Sequence, residues 1–387
     1  MKTQIFNVNI VLRDGVVENG FCCYENDLIT YVGKEAQVAD LSIDGKGAYL
    51  MAGFIDMHNH GGFGLEFIDS SKEEMVEISK KYLQKGTTTL VPTTSTDEMW
   101  ALEACLDKYR ELLDAGENLT LTGFHLEGPY FNALECGAQV PSLMQIPTEE
   151  TLNNLFDKYP FISRISAAPE IENGMLVGKI ASERGIVASV GHSAADFDTV
   201  LEAKKNGYTL LTHFYSGMRG VVRVNAYRVA GAVEAGYYDD DLFVEIIADG
   251  KHLPPQLLKL IVKVKPLDKI CLITDAIRPG GFPDGTKAKS GRLAVANDVI
   301  VEDGVAKLPD RTSFAGSICT MDRTIRVMHD LAGCSLPDIT VMASENPAKV
   351  LNLSDRGVIE VGKKADLVLM DKDLQVQQVI FNGKVVD

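Results

Sequence analysis

Eight short apolar runs recur along the middle of the chain, each followed by a stretch whose apolar residues return at helical spacing. The runs occupy residues 53–58 (GFIDMH), 87–93 (TTTLVPT), 119–127 (LTLTGFHLE), 161–170 (FISRISAAPE), 185–192 (GIVASVGH), 208–214 (YTLLTHF), 242–250 (LFVEIIADG) and 269–276 (KICLITDA). Segments such as SKEEMVEISKKYLQKG and DFDTVLEAKKNG lie between them and read as amphipathic helices. Eight strand–helix repeats over about 230 residues match the size of a (β/α)8 barrel. An open doubly wound sheet would use fewer strands and carry a glycine-rich nucleotide loop after the first one. HNHGGFG stands in that place and matches such a loop poorly. The pattern predicts an α/β protein built on a TIM-like barrel.

The two ends have a different texture. QIFNVNIVL, GVVENGFCCYE, LITYVG and ADLSIDGKGAYLM read as short strands joined by turns, and RGVIEVGKKADLVLMDKDLQVQQVIFNGKVVD does the same at the far end. Neither is long enough to bury a core alone. They are expected to pair into one small β domain, residues 1–52 plus 355–387, beside a barrel at 53–354. The segment 300–333 reads as an insertion followed by a helix.

Composition narrows the function. The chain of 387 residues is 45% apolar and 24% charged, with a formal net charge of −16. That balance argues against nucleic acid, whose phosphates require a basic face. It leaves room for a small anionic substrate, because a few local arginines override a global field. No apolar run is long enough to span a bilayer, and MKTQIFNVNIVLRDG reads as a strand and turn without a signal-peptide core. The expected compartment is the cytoplasm. The seven cysteines (22, 23, 105, 136, 271, 319, 334) are scattered with no CxxC, which suits reduced thiols and not a cysteine metal site.

The chemistry lies where the runs end. Six of the seven histidines stand at or just beyond a run: His58, His60, His125, His192, His213 and His252. Glu127, Asp249 and Asp275 hold similar places. A parallel β/α fold delivers all strand C-termini to one face, so these residues are expected to converge. Neutral imidazoles and carboxylates on a rigid rim suit a hydrolytic divalent metal site. His58 and His60, two apart on a strand, point to one side and could chelate one ion together. Glu127 could bridge two ions, and His192 with His213 could complete a second site. Asp275 ends the strand that closes on the first one. It is expected as a ligand, as the base that deprotonates water and later protonates the leaving group, or as both. A lone histidine on an apolar strand is ordinarily a satisfied core residue; here the joint placement carries the argument. His125, two before Glu127, is expected to support the site from behind. His329 lies in a helical stretch and reads as surface or packing, and Asp249 could simply cap its turn.

Together GFIDMHNHG, the strand-end histidines, TDA and the closing GVIEVGKKADLVLMDKDLQVQQVIFNGKVV resemble the metal-dependent amidohydrolase superfamily. Within it HLEGPY, APE, VGHS, THFYSGM and IIADGKH resemble the N-acetylglucosamine-6-phosphate deacetylase family. The resemblance spans essentially the whole chain. It implies a (β/α)8 barrel with a small β-sandwich domain formed by both termini, a homodimer, and hydrolysis of an N-acetyl amide on an amino sugar phosphate. It implies metal ligands at Glu127, His192 and His213, with His58 and His60 for a second ion, so one or two divalent ions per subunit. Zinc is the first expectation, with iron or manganese as alternatives. It implies Asp275 as base and acid, His252 as a sugar contact, and a substrate pocket lined by Ser216, Gly217, Ala315, Gly316 and Ser317.

Two departures bear on substrate. Where the family carries a histidine that polarises the scissile carbonyl, the chain has Gln139 in CGAQVP. Glutamine donates a neutral hydrogen bond but cannot become cationic. The arginine segment MRGVVRVNAYRVAG also differs from the family's. It nevertheless gathers Arg219, Arg223 and Arg228, and Arg223 is the expected phosphate ligand, supplied to the partner subunit's pocket as the resemblance suggests. The leading expectation is hydrolysis of N-acetylglucosamine 6-phosphate to glucosamine 6-phosphate and acetate. The alternatives are another N-acyl or cyclic amide substrate, or a non-catalytic sugar-phosphate-binding protein.

Overall fold

The computed structural model describes residues 1–386. Eight parallel strands stand side by side in chain order: Phe54–Asn59, Thr87–Thr94, Phe124–Glu127, Ile162–Ala167, Val187–Val190, Tyr208–Leu211, Phe243–Ile247 and Ile270–Ile273. Each falls within or overlaps one of the apolar runs. The run at 119–127 yields a strand only from Phe124, because Leu121 is tied into a turn by its hydrogen bond to Asn118. Beyond the last strand the chain bonds back to the first. The Asp275 N–H donates to the His58 carbonyl at 2.9 Å, and the His60 N–H donates to the Ala276 carbonyl at 2.8 Å. The sheet is therefore an almost closed (β/α)8 barrel.

A buried polar clasp reinforces this seam. Asp56 accepts from the Thr274 hydroxyl at 2.5 Å, the Thr274 N–H at 3.1 Å and the Asn59 amide at 3.1 Å. Burial nevertheless outweighs these bonds and raises its pKa to about 6.

The outer helices follow from local signals. The helix Lys72–Leu83 opens on a capping box, with Ser71 and Glu74 each satisfying the other's backbone N–H. It buries Met75, Ile78 and Tyr82, which share one face at spacings of three and four.

The termini join in a second, mixed sheet of eight strands. Leu367–Met370 pairs antiparallel with Tyr49–Ala52, and Lys2–Leu12 pairs with three partners: Gly15–Glu25, Leu41–Asp44 and Tyr49–Ala52. This sheet has its own core, drawn from both ends of the chain, including Ile5, Ile10, Tyr24, Leu50, Leu367 and Ile380. The insertion begins before residue 300, from Lys287, and is more ordered than the sequence suggested. Lys287–Ser290, Asn297–Glu302, Val305–Lys307 and Phe314–Gly316 form an antiparallel sheet above the barrel mouth, followed by the helix Met321–Val327. The buried Arg278 pins the loop at its entrance, reaching Asp69 at 2.9 Å and the Gly291 carbonyl at 2.9 Å.

Candidate active site

The C-terminal ends of five strands deliver six side chains to one cluster. His58 and His60 leave the first strand, Glu127 the third, His192 the fifth, His213 the sixth and Asp275 the eighth. His192, His213 and Asp275 sit just past their strands with φ of 45°, 32° and 48°. Side-chain-bearing residues avoid this region, so the local fold accepts strain to aim them inward.

The cluster divides into two groups that share Glu127: His58, His60 and Glu127, and Glu127, His192 and His213. In the first, His58 Nε2 lies 3.3 Å from His60 Nε2 and 3.4 Å from Glu127 Oε1. Asp275 Oδ1 stands 3.4 Å from His58 Nε2 and 3.2 Å from His60 Nε2. In the second, His213 Nε2 is 3.0 Å from Glu127 Oε1 and 3.2 Å from His192 Nε2.

The tautomers show what this second group is built to hold. His192 Nδ1 lies 2.9 Å from the Glu135 carbonyl oxygen, and His213 Nδ1 lies 2.9 Å from the Ser216 carbonyl oxygen. A carbonyl only accepts, so both rings carry their proton on Nδ1 and present bare Nε2 lone pairs. Those lone pairs and Glu127 Oε1 converge with no donor among them. A cation fits such a donor set, and both groups suit a divalent metal.

The charge environment agrees. Burial alone would push the His58 and His60 imidazoles down, but Asp275 and Glu127 override it and raise them to about 9 and about 10. Burial would raise Glu127 and Asp275, yet the facing histidines hold Glu127 well below, and Asp275 below, the usual carboxylate range.

A pocket opens above the cluster. Ser216, Gly217, Ala315, Gly316, Gln139 and His252 line it together with the cluster residues. A side chain at Gly217 would meet His192 Nδ1 at 2.8 Å, which explains glycine there. Gln139 is oriented from both ends: its Oε1 accepts from the Thr96 N–H at 2.8 Å and its Nε2 donates to Glu127 Oε2 at 2.6 Å. Asp249 does more than cap its turn. It accepts from the backbone N–H of Lys251 and His252, and its Oδ2 holds His252 Nδ1 at 2.8 Å. His125 stands behind the cluster, bonded to Ser166 at 2.8 Å, with its ring centroid 4.6 Å from that of His58 in an edge-to-face arrangement.

Two expected residues lie elsewhere. Ser317 is fully buried and does not line the pocket: it bridges to Ala276 beyond the last barrel strand, its N–H bonded to the Asp275 carbonyl at 2.9 Å. Arg223 is exposed on a hairpin, Val222–Val224 with Tyr227–Val229, where it pairs across from Arg228. It does not line the pocket of its own chain.

Three charged residues escaped the sequence reading. Arg292, reaching the pocket from the insertion, is held by Asp97 at 2.7 Å. Arg164 and Glu245 face each other inside the barrel, both fully buried. The signal for this pair was present: each interrupts an apolar run, in ISRISAAP and LFVEIIADG.

A parallel barrel with imidazoles and carboxylates gathered at its strand ends defines a hydrolase scaffold of the (β/α)8 class. The profile of the Amidohydrolase family matches residues 49–386. An N-acetylglucosamine-6-phosphate deacetylase from Lysinibacillus sphaericus is 32% identical, with 98% of each chain covered. An N-acetylgalactosamine-6-phosphate deacetylase from Escherichia coli O157:H7 is 30% identical, with 87% of each chain covered. Among solved structures, a mutant N-acetyl-D-glucosamine-6-phosphate deacetylase from Mycobacterium smegmatis, in complex with N-acetyl-D-glucosamine-6-phosphate, superposes with a TM-score of 0.90 at 28% identity, covering 100% of this chain and 99% of that one. The chain belongs to the amidohydrolase family, within its N-acetylglucosamine-6-phosphate deacetylase branch.

Proposed function

We propose that the protein hydrolyses the N-acetyl amide of N-acetylglucosamine 6-phosphate, releasing glucosamine 6-phosphate and acetate. The observation that carries this reading is the Glu127-centred cluster with Asp275 at the floor of a pocket, in a chain similar over its full length to deacetylases of this substrate. His58, His60, Glu127, His192 and His213 would hold one or two divalent ions, with Asp275 adjoining the first. The donor set suits zinc and accommodates iron(II) or manganese. A divalent ion in this centre supplies Lewis acidity and makes water a nucleophile at neutral pH.

The chain's own groups do the rest. Asp275 takes the proton of the attacking water on its carboxylate and returns it to the departing amine. Gln139 keeps one amide N–H on Glu127 and turns the other toward the scissile carbonyl, donating as negative charge develops there. His252, oriented by Asp249, holds the sugar phosphate.

The reading includes a cytoplasmic homodimer in which the 222–229 hairpin extends into the partner's pocket and Arg223 meets the phosphate. Its exposed Val224 and Tyr227 beside three arginines, Arg219, Arg223 and Arg228, support this. A second reading, the galacto epimer, has the Escherichia coli relative in its favour.

Acetate release by zinc-reconstituted protein tests both, using N-acetylglucosamine 6-phosphate, N-acetylgalactosamine 6-phosphate and unphosphorylated N-acetylglucosamine. A strong preference for the first substrate supports the proposal. A preference for the second installs the epimer, and turnover of neither moves the substrate to another amide.

A further inference from the structure

Arg164 and Glu245 form the one charge pair among the described residues in which both side chains are fully buried, apart from contacts of the histidine cluster. Buried pairs are poor stabilisers, since desolvation offsets most of their attraction, and apolar residues of similar volume often serve the fold as well. The geometry gives this one another role. Glu245 Oε1 accepts from the Arg164 guanidinium, which also donates to the Met57 carbonyl at 2.9 Å, next to His58. Glu245 Oε2 lies 3.3 Å from His58 Nδ1 and accepts from the His213 N–H at 3.3 Å. One carboxylate therefore touches two strands of the site, and Arg164 dictates which of its oxygens faces the histidine.

We infer that Glu245, oriented by Arg164, is a positioning residue that fixes His58 as an Nδ1–H tautomer and so turns its Nε2 lone pair into the centre. The inference rests on the reading of the cluster as a two-ion site. Glu245 itself is fully buried and does not line the pocket. Its effect runs through a ring. An imidazole whose Nδ1 donates to a carboxylate is a stronger ligand at Nε2 and is held in one orientation.

The isosteric variant Glu245→Gln discriminates this role from simple packing. Arg164 will claim the new carbonyl oxygen, leaving the amide NH2 facing His58 Nδ1. That reverses the tautomer and puts a proton on Nε2. Zinc is titrated into ion-free protein against a chelating dye, for wild type, Glu245→Gln, His58→Asn and the double variant. Wild type is expected to bind two ions. Glu245→Gln should lose about 10- to 100-fold in affinity for the ion at His58–His60, the range seen when such supporting contacts are removed. The His213 N–H loses its acceptor as well, but the His213 ring stays held by the Ser216 carbonyl, so the other ion should weaken far less, within about threefold. On the His58→Asn background Glu245→Gln should add nothing further, because its route of action is already gone.

Two ions held by Glu245→Gln with wild-type affinity would overturn the inference. So would additional loss in the double variant, which marks a general structural effect. If Glu245→Gln does not fold, Glu245→Met/Arg164→Met removes both buried charges. It should show the same selective loss, and retention of both ions there overturns the inference equally. Wild type binding fewer than two ions would instead bring down the two-ion reading itself.

Discussion

Stripping divalent ions from this protein should make it take up protons. In the ion-free centre, Asp275 and Glu127 raise His58 and His60 to about 9 and about 10. At neutral pH both rings then carry a second proton in the space an ion would fill. An ion bound through Nε2 displaces those protons, so loading the His58–His60 site should release about two. Glu127 and Asp275 release none, since both are already held below the usual range. With two protons displaced, apparent affinity should climb about 100-fold per pH unit between about pH 7 and 9, about tenfold between about 9 and 10, and level off above about 10.

The stability sign follows from the same shifts. A raised imidazole stabilises the fold fully below its unfolded value, about 6.5, and that contribution is lost as pH rises through 9 and 10. The stripped protein thus weakens on the alkaline side, where the loaded protein holds its ion best. An ion at about 1,000 times its Kd stabilises by about 4 kcal/mol. A chain of this length melts with an entropy of about 0.8 kcal/mol/K, so each ion should move Tm by about 5 °C. Calorimetric titration of zinc in two buffers of different ionisation enthalpy counts the protons, and melting with and without chelator reads the stability. No proton release, with a Tm indifferent to chelator from pH 6.5 to 9, would refute the reasoning.

Asp275→Asn should lower kcat by about 10³-fold or more at every pH, because an amide cannot shuttle the proton. Acetate-release kinetics beside a zinc assay check this, and near-wild-type turnover would remove Asp275 from the mechanism. Gln139→Leu keeps the volume but deletes the donor that Thr96 orients. It should cost about 10- to 100-fold in kcat with KM little changed, less than a lone oxyanion donor because an ion shares the charge. An equal loss of binding and turnover would make Gln139 a substrate clamp instead. Asp56→Asn sets an amide NH2 among partners that donate, Thr274 and Asn59. It should destabilise by about 2 kcal/mol, read as a Tm lowered by about 2 to 3 °C, while zinc content stays constant.

Much of the architecture was legible because it is periodic. Apolar runs of strand length alternate with amphipathic helical stretches, and eight such repeats leave few topologies other than a barrel. The cluster was legible for a related reason. A parallel barrel sends every strand end to one face, so His58, Glu127, His213 and Asp275 could be brought together without knowing any distance. Gln139 could be singled out only because a resemblance supplied the residue expected in its place.

Tertiary structure alone decided the rest. Arg164 and Glu245 lie on the fourth and seventh strands, and nothing local in the sequence says that their side chains meet inside the barrel beside His58. The direction of each histidine proton depends on carbonyls brought near by folding, those of Glu135 and Ser216. Arg223 and Arg292 show the same limit from opposite sides. Composition marked Arg223 as the phosphate candidate, yet its hairpin carries it away from the pocket of its own chain, whereas Arg292 reaches that pocket on a loop of the insertion. Strand periodicity determines which face a residue occupies, but the loops and interior pairings that aim a charge are set only when distant segments pack.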